Sequence, residues 1–438
     1  EHLFGSAEVR VGDPDAAARD QRTHRKRHLR PRVTHAVGRH QHESPNPPVR
    51  HRLGQEGRRL GVDVGRDADS CPWKIAPAVH ADRADHRVDT VESGAESCMV
   101  QHVSRTGGHT VTNAYESNRN VLLSKNNHTG TPATPVSKYD YAVLENGTPT
   151  AFGANSIGQR TDLARTGSAF TANASTAWSY NATGELTQAD DSDNTRDHAF
   201  SFDGIGNRTS STFNSVTTNY TADTLNRYSV IGSLNPTYDD DGNMLTGPLS
   251  AAPTADATLA WDGENRLKSV SMPAAATIYF SYDYLGRRIS KTSSATTTRY
   301  IYDGWNIISE YTGTTLTKSY TWGMDLSGSM QGAGGVGGLL SVELHTGPDV
   351  GTYYPTYDGN GNISEYLNSS GAKVAHYEYD AFGNEIVAAT SGSLASTFSH
   401  RFSTKPLDAE TGLYYYGYRY YDPVTGRWPS RDPIQERG

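Results

Sequence analysis

The sequence predicts an all-β protein in which short tyrosine–aspartate hairpins follow one another along the chain. The 438 residues include 43 glycines and 26 tyrosines, a composition that favours strands and turns over long helices. An aromatic–aspartate pattern with a following glycine recurs roughly every 20 residues, which is typical of repeat architectures. Polar and apolar residues alternate after each copy, as they do in half-buried strands.

Residues 1–105 differ sharply from the rest of the chain. They contain no tyrosine, ten of the 16 histidines, 16 arginines against two lysines, and both cysteines, Cys71 and Cys98. They show no apolar period of helix or strand. Three interpretations compete: a basic His-rich arm that binds nucleic acid or metal, a disordered tail, and an out-of-frame translation. The abrupt change in residue usage favours the third, so we expect a low-order basic segment here.

Charge and hydropathy exclude two classes of function. The formal net charge of −8 argues against a general nucleic-acid binder. No run approaches the 18 apolar residues that a membrane-spanning helix needs. The first residue is glutamate rather than methionine, so we expect a fragment from which any export signal is missing.

The recurring unit starts at about Tyr139 and is read clearly in "SFDGIGNRTS" at 201, "SYDYLGRRISKT" at 281 and "TYDGNGNISEYLN" at 356. The aspartate can accept the backbone N–H two residues on and start a turn. Glycine then takes the positive-φ position of a type I turn closed by a bulge. Each unit is therefore one hairpin, and stacked hairpins share a core that a lone hairpin lacks. Buried tyrosines supply apolar area while their hydroxyls reach water or backbone.

We expect residues 106–345 to form this repeat sheet, and residues 346–438 to hold the last repeats and a dense terminal motif. The terminal motif, "DAETGLYYYGYRYYDPVTGRWPSRDP", spans residues 408–433.

Two other patterns imitate ligand sites. "GAGGVG" contains a formal G-x-G-x-x-G, but no amphipathic helix follows it, so we expect a close backbone crossing rather than a nucleotide site. "YDGNGN" resembles a calcium loop, yet Ile363 replaces the required glycine and Ser369 stands where the bidentate glutamate belongs. It is interpreted as a turn. His376 and His400 lie in alternating patterns and are interpreted as strand residues. We therefore expect no cofactor and no metal.

The terminal motif holds the one arrangement that suggests chemistry. Asp422 and Asp432 each precede proline, and Arg419 lies close in sequence. Two carboxylates with different pKa values can hydrolyse a peptide bond, one ionised to activate water and one protonated. Proline fixes the backbone after each aspartate. The alternative is that both Asp-Pro pairs form turns and that arginines pair with them.

The Y-D-x-x-G-N units resemble the YD repeats of bacterial Rhs proteins, toxin-complex C subunits and teneurins. The glycine-rich stretch at 320–342 resembles the one inside Rhs cores, and the terminal motif resembles the Rhs repeat-associated core motif. The resemblance covers about residues 110–438. It implies a partial Rhs-type shell, a ribbon of strands that spirals around a hollow interior, with the core motif as a plug at one end. About eleven units are too few to close such a shell, so we expect a spiralling, curved and partly open sheet. In bacterial members the shell encloses a C-terminal toxin domain.

The resemblance also implies self-cleavage just beyond the core motif, by aspartates with a supporting arginine. Carried over, it gives Asp432 as first candidate, with Asp422 and Arg419 as partners. The family pattern is Asp-Pro-x-Gly, and this chain has Gln435 in place of the glycine. Glutamine resists the positive φ that glycine permits, so this chain departs from the family pattern at a position next to the expected cut.

The expected function is thus a scaffold that encapsulates a polymorphic toxin, with at most autoproteolysis as its own enzymatic activity. Its expected partners are its own C-terminal toxin domain and a secretion or delivery component, and it should be secreted or displayed at the cell surface. The alternative is a cell-surface or wall-associated YD-repeat protein that binds carbohydrate or a partner protein through exposed aromatic rings.

Overall fold

The computed structural model describes residues 88–93, 100–105, 109–116, 121–130, 134–145, 148–152, 158–387 and 392–433. Nearly all of these residues lie in strands or tight turns, with short 3-10 turns at Asn194–Arg196 and Phe402–Thr404. The all-β prediction is confirmed. No helix in the described part of the chain is long and apolar enough to cross a membrane. Cys71, Cys98 and Gln435 lie outside the described residues.

The first half of the chain forms a long antiparallel meander. Its strands, in chain order, are β1 (Val88–Ser93), β2 (Val100–Arg105), β3 (His109–Tyr115), β4 (Leu122–Thr129), β5 (Thr134–Asp140), β6 (Ala142–Glu145), β7 (Thr148–Phe152), β8 (Asp162–Thr166), β9 (Ala174–Tyr180), β10 (Leu186–Asp191), β11 (His198–Phe202), β12 (Arg208–Phe213), β13 (Val216–Ala222) and β14 (Tyr228–Ile231). Strands β6 and β7 pair with each other, and the other twelve form one sheet in chain order.

The second half repeats this arrangement. Its strands are β15 (Thr237–Tyr238), β16 (Met244–Leu249), β17 (Ala252–Trp261), β18 (Leu267–Ser271), β19 (Ile278–Tyr282), β20 (Arg288–Ser293), β21 (Thr296–Asp303), β22 (Asn306–Thr312), β23 (Thr315–Trp322), β24 (Leu339–Leu344), β25 (Gly351–Tyr357), β26 (Ile363–Leu367), β27 (Lys373–His376), β28 (Leu407–Asp408), β29 (Leu413–Tyr415) and β30 (Tyr420–Tyr421). Strands β15–β27 form a thirteen-stranded sheet, and β28–β30 form a separate three-stranded sheet.

Both long sheets extend across the domain boundaries that the sequence suggested, after residues 105 and 345. The first sheet begins at Val88, N-terminal to residue 105, and Val91 of β1 lies opposite Val103 of β2. The second sheet continues past residue 345, because β24 pairs with β25. Residues 1–87 and 94–99 of the low-order basic segment expected over residues 1–105 lie outside the described residues.

Each repeat turn is organised by its aspartate, as the sequence predicts. In the unit that begins at Phe202, the Asp203 Oδ1 atom accepts the backbone N–H groups of Ile205 at 3.0 Å and Asn207 at 2.9 Å. Gly206 between them has φ 88°, and the ladder has a bulge next to Phe202. The same pair of carboxylate bonds recurs in five further turns, at Asp223, Asp262, Asp283, Asp358 and Asp380.

In several units the aromatic anchor is hydrogen-bonded to the unit before it. The Tyr302 hydroxyl donates to the Arg288 carbonyl at 2.7 Å, and the Tyr282 hydroxyl donates to the Leu267 carbonyl at 2.7 Å. Trp261 replaces tyrosine in one unit, and its indole N–H makes the same kind of bond to the Met244 carbonyl at 2.7 Å. These carbonyls begin the strand after a turn, beside the bulge that interrupts the ladder. Aromatic residues with a polar donor therefore both pack and satisfy the bulge.

Candidate functional site

The terminal motif is packed into the protein rather than left as a tail. Four of its tyrosines are 4% exposed or less: Tyr414, Tyr415, Tyr420 and Tyr421. Their rings contact one another and the second sheet; the Tyr420 ring lies 5.4 Å from the ring of Phe280, centroid to centroid. The prediction that these tyrosines are packing residues is confirmed for these four. Tyr418 differs, because it is 60% exposed.

A buried ion pair joins the first residue of the motif to the second sheet. Asp408 is 2% exposed and accepts a charged hydrogen bond from Arg288, which is 1% exposed. The Lys291 ammonium lies 3.2 Å from the other carboxylate oxygen. Burial opposes ionisation of Asp408, but the two cations outweigh it and hold the pKa of this carboxyl below its ordinary value. The Arg288 guanidinium also lies over the Tyr415 ring at 4.5 Å.

A second group of contacts joins the motif to the first sheet. The Arg427 guanidinium donates to the Asn207 side chain and the Asn226 carbonyl, and it lies 4.0 Å from the centre of the Tyr228 ring. In the opposite direction, Arg208 of β12 donates to the Val424 carbonyl at 3.0 Å. The terminal motif therefore contacts both long sheets. Sequence reasoning missed this role of Asp408, Arg288 and Arg208, because an arginine next to a turn is ordinarily solvent-exposed.

Two of the three predicted cleavage residues are brought together. The Arg419 guanidinium lies 2.7 Å from the Asp432 carboxylate, and the Asp432 side chain is 46% exposed. Arg419 also lies over the ring of Trp428 at 4.4 Å. Burial lowers the pKa of Arg419 from its ordinary value, and the Asp432 charge opposes that shift. The predicted contact between an arginine and Asp432 is therefore present. The same contact is expected if the Asp-Pro pairs only form turns and pair with arginines.

Asp422 has a different environment. It is 1% exposed, and its carboxylate accepts the hydroxyl of Thr425 at 2.7 Å and that of Ser250. Its backbone pairs with that of Arg427, which closes the turn after β30. Burial raises the pKa of Asp422, although these hydrogen bonds act against the shift. The two aspartates thus differ in exposure and in partners, as an acid–base pair would, and Asp422 also holds a turn, as the alternative requires.

A second buried charged network links the two long sheets. Glu365 of β26 is fully buried and accepts the Ser137 hydroxyl of β5 at 2.6 Å. His376 lies between Glu365 at 2.9 Å and Glu378 at 3.3 Å. Glu378 in turn accepts Arg165 of β8 at 2.8 Å. Burial alone would lower the pKa of His376, but the two glutamates raise it to about 9. His376 is therefore packed, as expected, and charged.

The patterns that imitate ligand sites have structural explanations. Gly337 of "GAGGVG" has φ 77°, and a Cβ on Gly361 would lie 3.2 Å from the Gly337 nitrogen. The predicted close backbone crossing is confirmed. In "YDGNGN" the Asp358 carboxylate is occupied by three N–H donors of its own turn, as a turn residue should be. Among the described residues, no cluster of three or more His, Cys, Asp or Glu side chains could hold a metal ion.

Comparison with known proteins identifies the fold. The family model described as the teneurin YD-shell matches residues 164–436, more than half of the chain. The chain belongs to the teneurin YD-shell family. A crystal structure of the TcdB2-TccC3 complex superposes on this YD-shell chain with a TM-score of 0.61 at 18% identity, and the match covers 79% of this chain and 18% of the other. At that identity the likeness establishes the fold alone.

Curated relatives of the YD-shell chain are named as toxins or nucleases. The tRNA3(Ser)-specific nuclease WapA of Bacillus spizizenii is 31% identical over 53% of this chain and 9% of its own length. The double-stranded DNA deaminase toxin A of Burkholderia cenocepacia is 28% identical over 46% of this chain and 15% of its own. The probable deoxyribonuclease RhsB of Dickeya dadantii is 29% identical over 40% and 12%. This chain spans only about a tenth of the length of these relatives.

Proposed function

We propose that this chain forms part of the wall and the terminal plug of a shell that encloses a toxin domain, as in Rhs-type polymorphic toxins. Its relatives carry different named activities, on tRNA and on DNA, yet each shares a segment with this chain. A segment common to proteins with different activities is better suited to a scaffold than to the toxic step itself.

The observation that carries the proposal is the way the terminal motif is buried. It is fixed to both sheets by Asp408 and Arg427, and burial ends abruptly after Ser430. Ser430 is 8% exposed, whereas residues 431–433 are all exposed. The chain thus leaves the packed motif at the point where a variable domain would begin. A plug of this kind separates a fixed shell from a cargo that can differ between relatives.

The second part of the proposal is self-cleavage beyond residue 433, with Asp432 as the catalytic base. Its carboxylate would take a proton from water as the water oxygen attacks the scissile carbonyl. The proton would then pass to the departing amide nitrogen as the C–N bond breaks, which leaves a new carboxylate and a new amine. Arg419, at 2.7 Å from Asp432, would orient that carboxylate. Asp422 would act as the second carboxyl group, favoured in its protonated form by burial.

The same proposal implies that the protein is exported from the cell that makes it. A shell that carries a toxin must be exported, so we place the protein outside the producing cell or at its surface, in contact with a secretion or delivery component. DNA beyond the codon for Gly438 should encode a further domain and then a small immunity gene. A wall anchor at that position would instead favour the adhesin alternative.

The cleavage step is tested by a reporter domain fused after Gly438. The wild-type fusion should release the reporter as a separate fragment, and Asp432→Asn should prevent release. Asp349→Asn, at another exposed aspartate, is the matched control and should cleave normally. Release from the Asp432→Asn fusion would show that the catalytic assignment is wrong. An intact wild-type fusion would refute self-cleavage in this chain and leave the shell proposal standing.

A further inference from the structure

Two pairs of neighbouring repeat turns are built alike, and an arginine of the terminal motif lies against each pair. The first pair consists of the β11–β12 and β13–β14 turns, and the Asn207 side-chain amide donates to the Asn226 side chain at 3.5 Å. The second pair consists of the β15–β16 and β17–β18 turns, and the Asn243 amide donates to the Asn265 side chain at 2.8 Å. We call these two pairs of turns the Asn207 cradle and the Asn243 cradle.

The leading asparagine of each cradle is bonded in the same way. The Asn207 Nδ2 atom donates to the Asp203 carboxylate at 2.7 Å, and the Asn243 Nδ2 atom donates to the Asp239 carboxylate at 2.9 Å. An asparagine side chain has two N–H donors and one acceptor oxygen. Because the turns themselves use the NH₂ group, the Oδ1 oxygen is left to accept a donor from outside the cradle.

The Asn207 cradle holds a guanidinium group. Arg427 donates to the Asn207 Oδ1 atom and to the Asn226 carbonyl. A guanidinium presents its N–H groups in a planar fork, which suits two oxygens on adjacent turns. Asn207 is only 5% exposed while it accepts this arginine, so burial of the asparagine is compatible with an arginine partner.

The Asn243 cradle has the same acceptor without a donor. Asn243 is fully buried, and within the described part of the chain its Oδ1 atom has no hydrogen-bond partner. Leaving a buried acceptor unpaired is costly. Asp240 and Asp241, which precede it in the turn, are exposed, and their negative charge favours a cation as the donor.

Arg431 lies directly against this turn. A Cβ on Gly242 would lie 2.7 Å from the Arg431 Nε atom and 3.2 Å from its Cδ atom. The backbone next to it is fixed as well, because the Met244 N–H donates to the Pro429 carbonyl at 2.8 Å. Pro429 is two residues before Arg431, and Met244 follows Asn243, so the side chain of Arg431 starts within a few ångströms of the cradle.

We propose that the Asn243 cradle is a guanidinium-binding site whose occupant is Arg431, which donates to the Asn243 Oδ1 atom and to the Asn265 carbonyl. An ammonium group lacks the planar fork that bridges two oxygens. Arg431 immediately precedes Asp432, so an occupied cradle fixes the backbone of Asp432 while Arg419 pairs with its carboxylate. Arg431 is then a positioning residue. This last step rests on the proposed self-cleavage, whereas the binding of Arg431 does not.

Binding is tested by limited trypsin digestion of the whole chain, with mass spectrometry following the Arg431–Asp432 bond. Trypsin takes the arginine side chain into its own specificity pocket, so a guanidinium held in the cradle protects this bond. Arg431→Lys keeps a trypsin site without the fork, and the bond should be cut about tenfold faster. Asn243→Leu should have the same effect. Asn207→Leu makes the matched change in the other cradle and should leave the rate at this bond within about twofold of wild type.

The positioning role is tested with the reporter fused after Gly438. Arg431→Gln and Asn243→Leu should each slow reporter release about tenfold, the effect of losing one hydrogen bond to a charged group. The double variant should be no slower than either single variant, because both changes remove the same contact. A purely structural effect of Asn243→Leu would instead add to that of Arg431→Gln and would overturn the positioning role.

The outcomes separate the cradle from the self-cleavage. Trypsin cleavage of Arg431→Lys at the wild-type rate would overturn the binding of Arg431. If Asn243→Leu unfolds the turn, Arg431→Lys decides alone, because the Arg431 side chain is exposed and its exchange should leave the fold intact. Normal release from Arg431→Gln would overturn the positioning role. An intact wild-type fusion would refute self-cleavage and the positioning role with it, while the trypsin result would still decide whether the cradle binds Arg431.

Discussion

The buried pair between Asp408 and Arg288 offers the sharpest test of how the terminal motif is held. Asp408→Asn keeps the shape of the side chain and removes its charge. Arg288, at 1% exposure, would then be a buried cation without its carboxylate. Removing one partner of a buried ion pair costs about 3–5 kcal/mol. The Lys291 ammonium, 3.2 Å from Asp408, loses one of its two carboxylate partners. At an effective dielectric constant of about 20 that attraction is worth roughly 5 kcal/mol before desolvation.

The free energy of unfolding should therefore fall by about 3–5 kcal/mol in Asp408→Asn, measured by urea unfolding with tryptophan fluorescence. The matched control is Glu410→Gln, which removes the outer partner of Lys291. Because Glu410 is 36% exposed, this change should cost less than about 1 kcal/mol. A double variant, Arg288→Met with Asp408→Leu, removes both charges and should recover most of the loss, since apolar residues can replace a buried pair.

The pH dependence gives an independent check on the same pair. The pKa of Asp408 is lower in the folded protein than its ordinary value. Its stabilising contribution is therefore present above about pH 4, the ordinary aspartate pKa, and is lost as pH falls through the lower, folded value. In Asp408→Asn the free energy of unfolding should depend less on pH in this acidic range, the acid limb of the stability curve. A loss below about 1 kcal/mol at pH 7, or an unchanged acid limb, would refute the view that this pair anchors the motif.

Three further predictions test the turns, the network and the cleavage site. Tyr302→Phe removes the hydroxyl donor to the Arg288 carbonyl and should lower the free energy of unfolding by about 1–3 kcal/mol; exposed Tyr279→Phe should not. The pKa of His376 is raised to about 9 in the folded protein. Its charged form therefore contributes about 3 kcal/mol at most to the free energy of unfolding. This contribution is complete below about pH 6.5 and is lost as the pH rises through 9. His376→Gln should lack that slope in unfolding measured from pH 6 to 10, and an unchanged slope would contradict the assignment. Asp432→Asn should abolish reporter release while shifting stability by less than about 1 kcal/mol, because its ion pair is at the surface; a larger shift would indicate a structural role instead.

Local chemistry explains why the hairpins could be predicted. An aspartate that accepts the N–H groups two and four residues on, followed by a residue that tolerates positive φ, encodes its turn within six positions. Where glycine is absent, as at Asn226 and Asn265, asparagine takes the same conformation with φ 59° and 58°. Asparagine is one of the few residues that tolerate this region. No distant contact is needed for the turn, so each repeat was readable from sequence.

The inward face of each strand was less predictable. Alternation in "RRISKT" suggests that Ile289 is buried and its neighbours are exposed, but Arg288 is 1% exposed and Ile289 is 40% exposed. The reversal depends on a carboxylate 120 residues away, because Asp408 and the Tyr415 ring cover that face of β20. No local sequence pattern indicates a partner so far away in the chain. Glu365 is a second example. It is fully buried, and its carboxylate contacts Ser137, Thr356 and His376.

The same distinction between local sequence and tertiary contacts applies to the candidate site. The density of tyrosines in the terminal motif, and the prolines that follow Asp422 and Asp432, can be seen in the sequence alone, because both properties reside in adjacent residues. The tertiary structure was needed to show that Asp408 is the anchor, that Asp422 is buried while Asp432 is exposed beside Arg419, and that Tyr418 faces outward by Trp305. The physical reason is that burial and charge pairing depend on which surfaces two long sheets bring against the motif, and that is a property of the assembled fold.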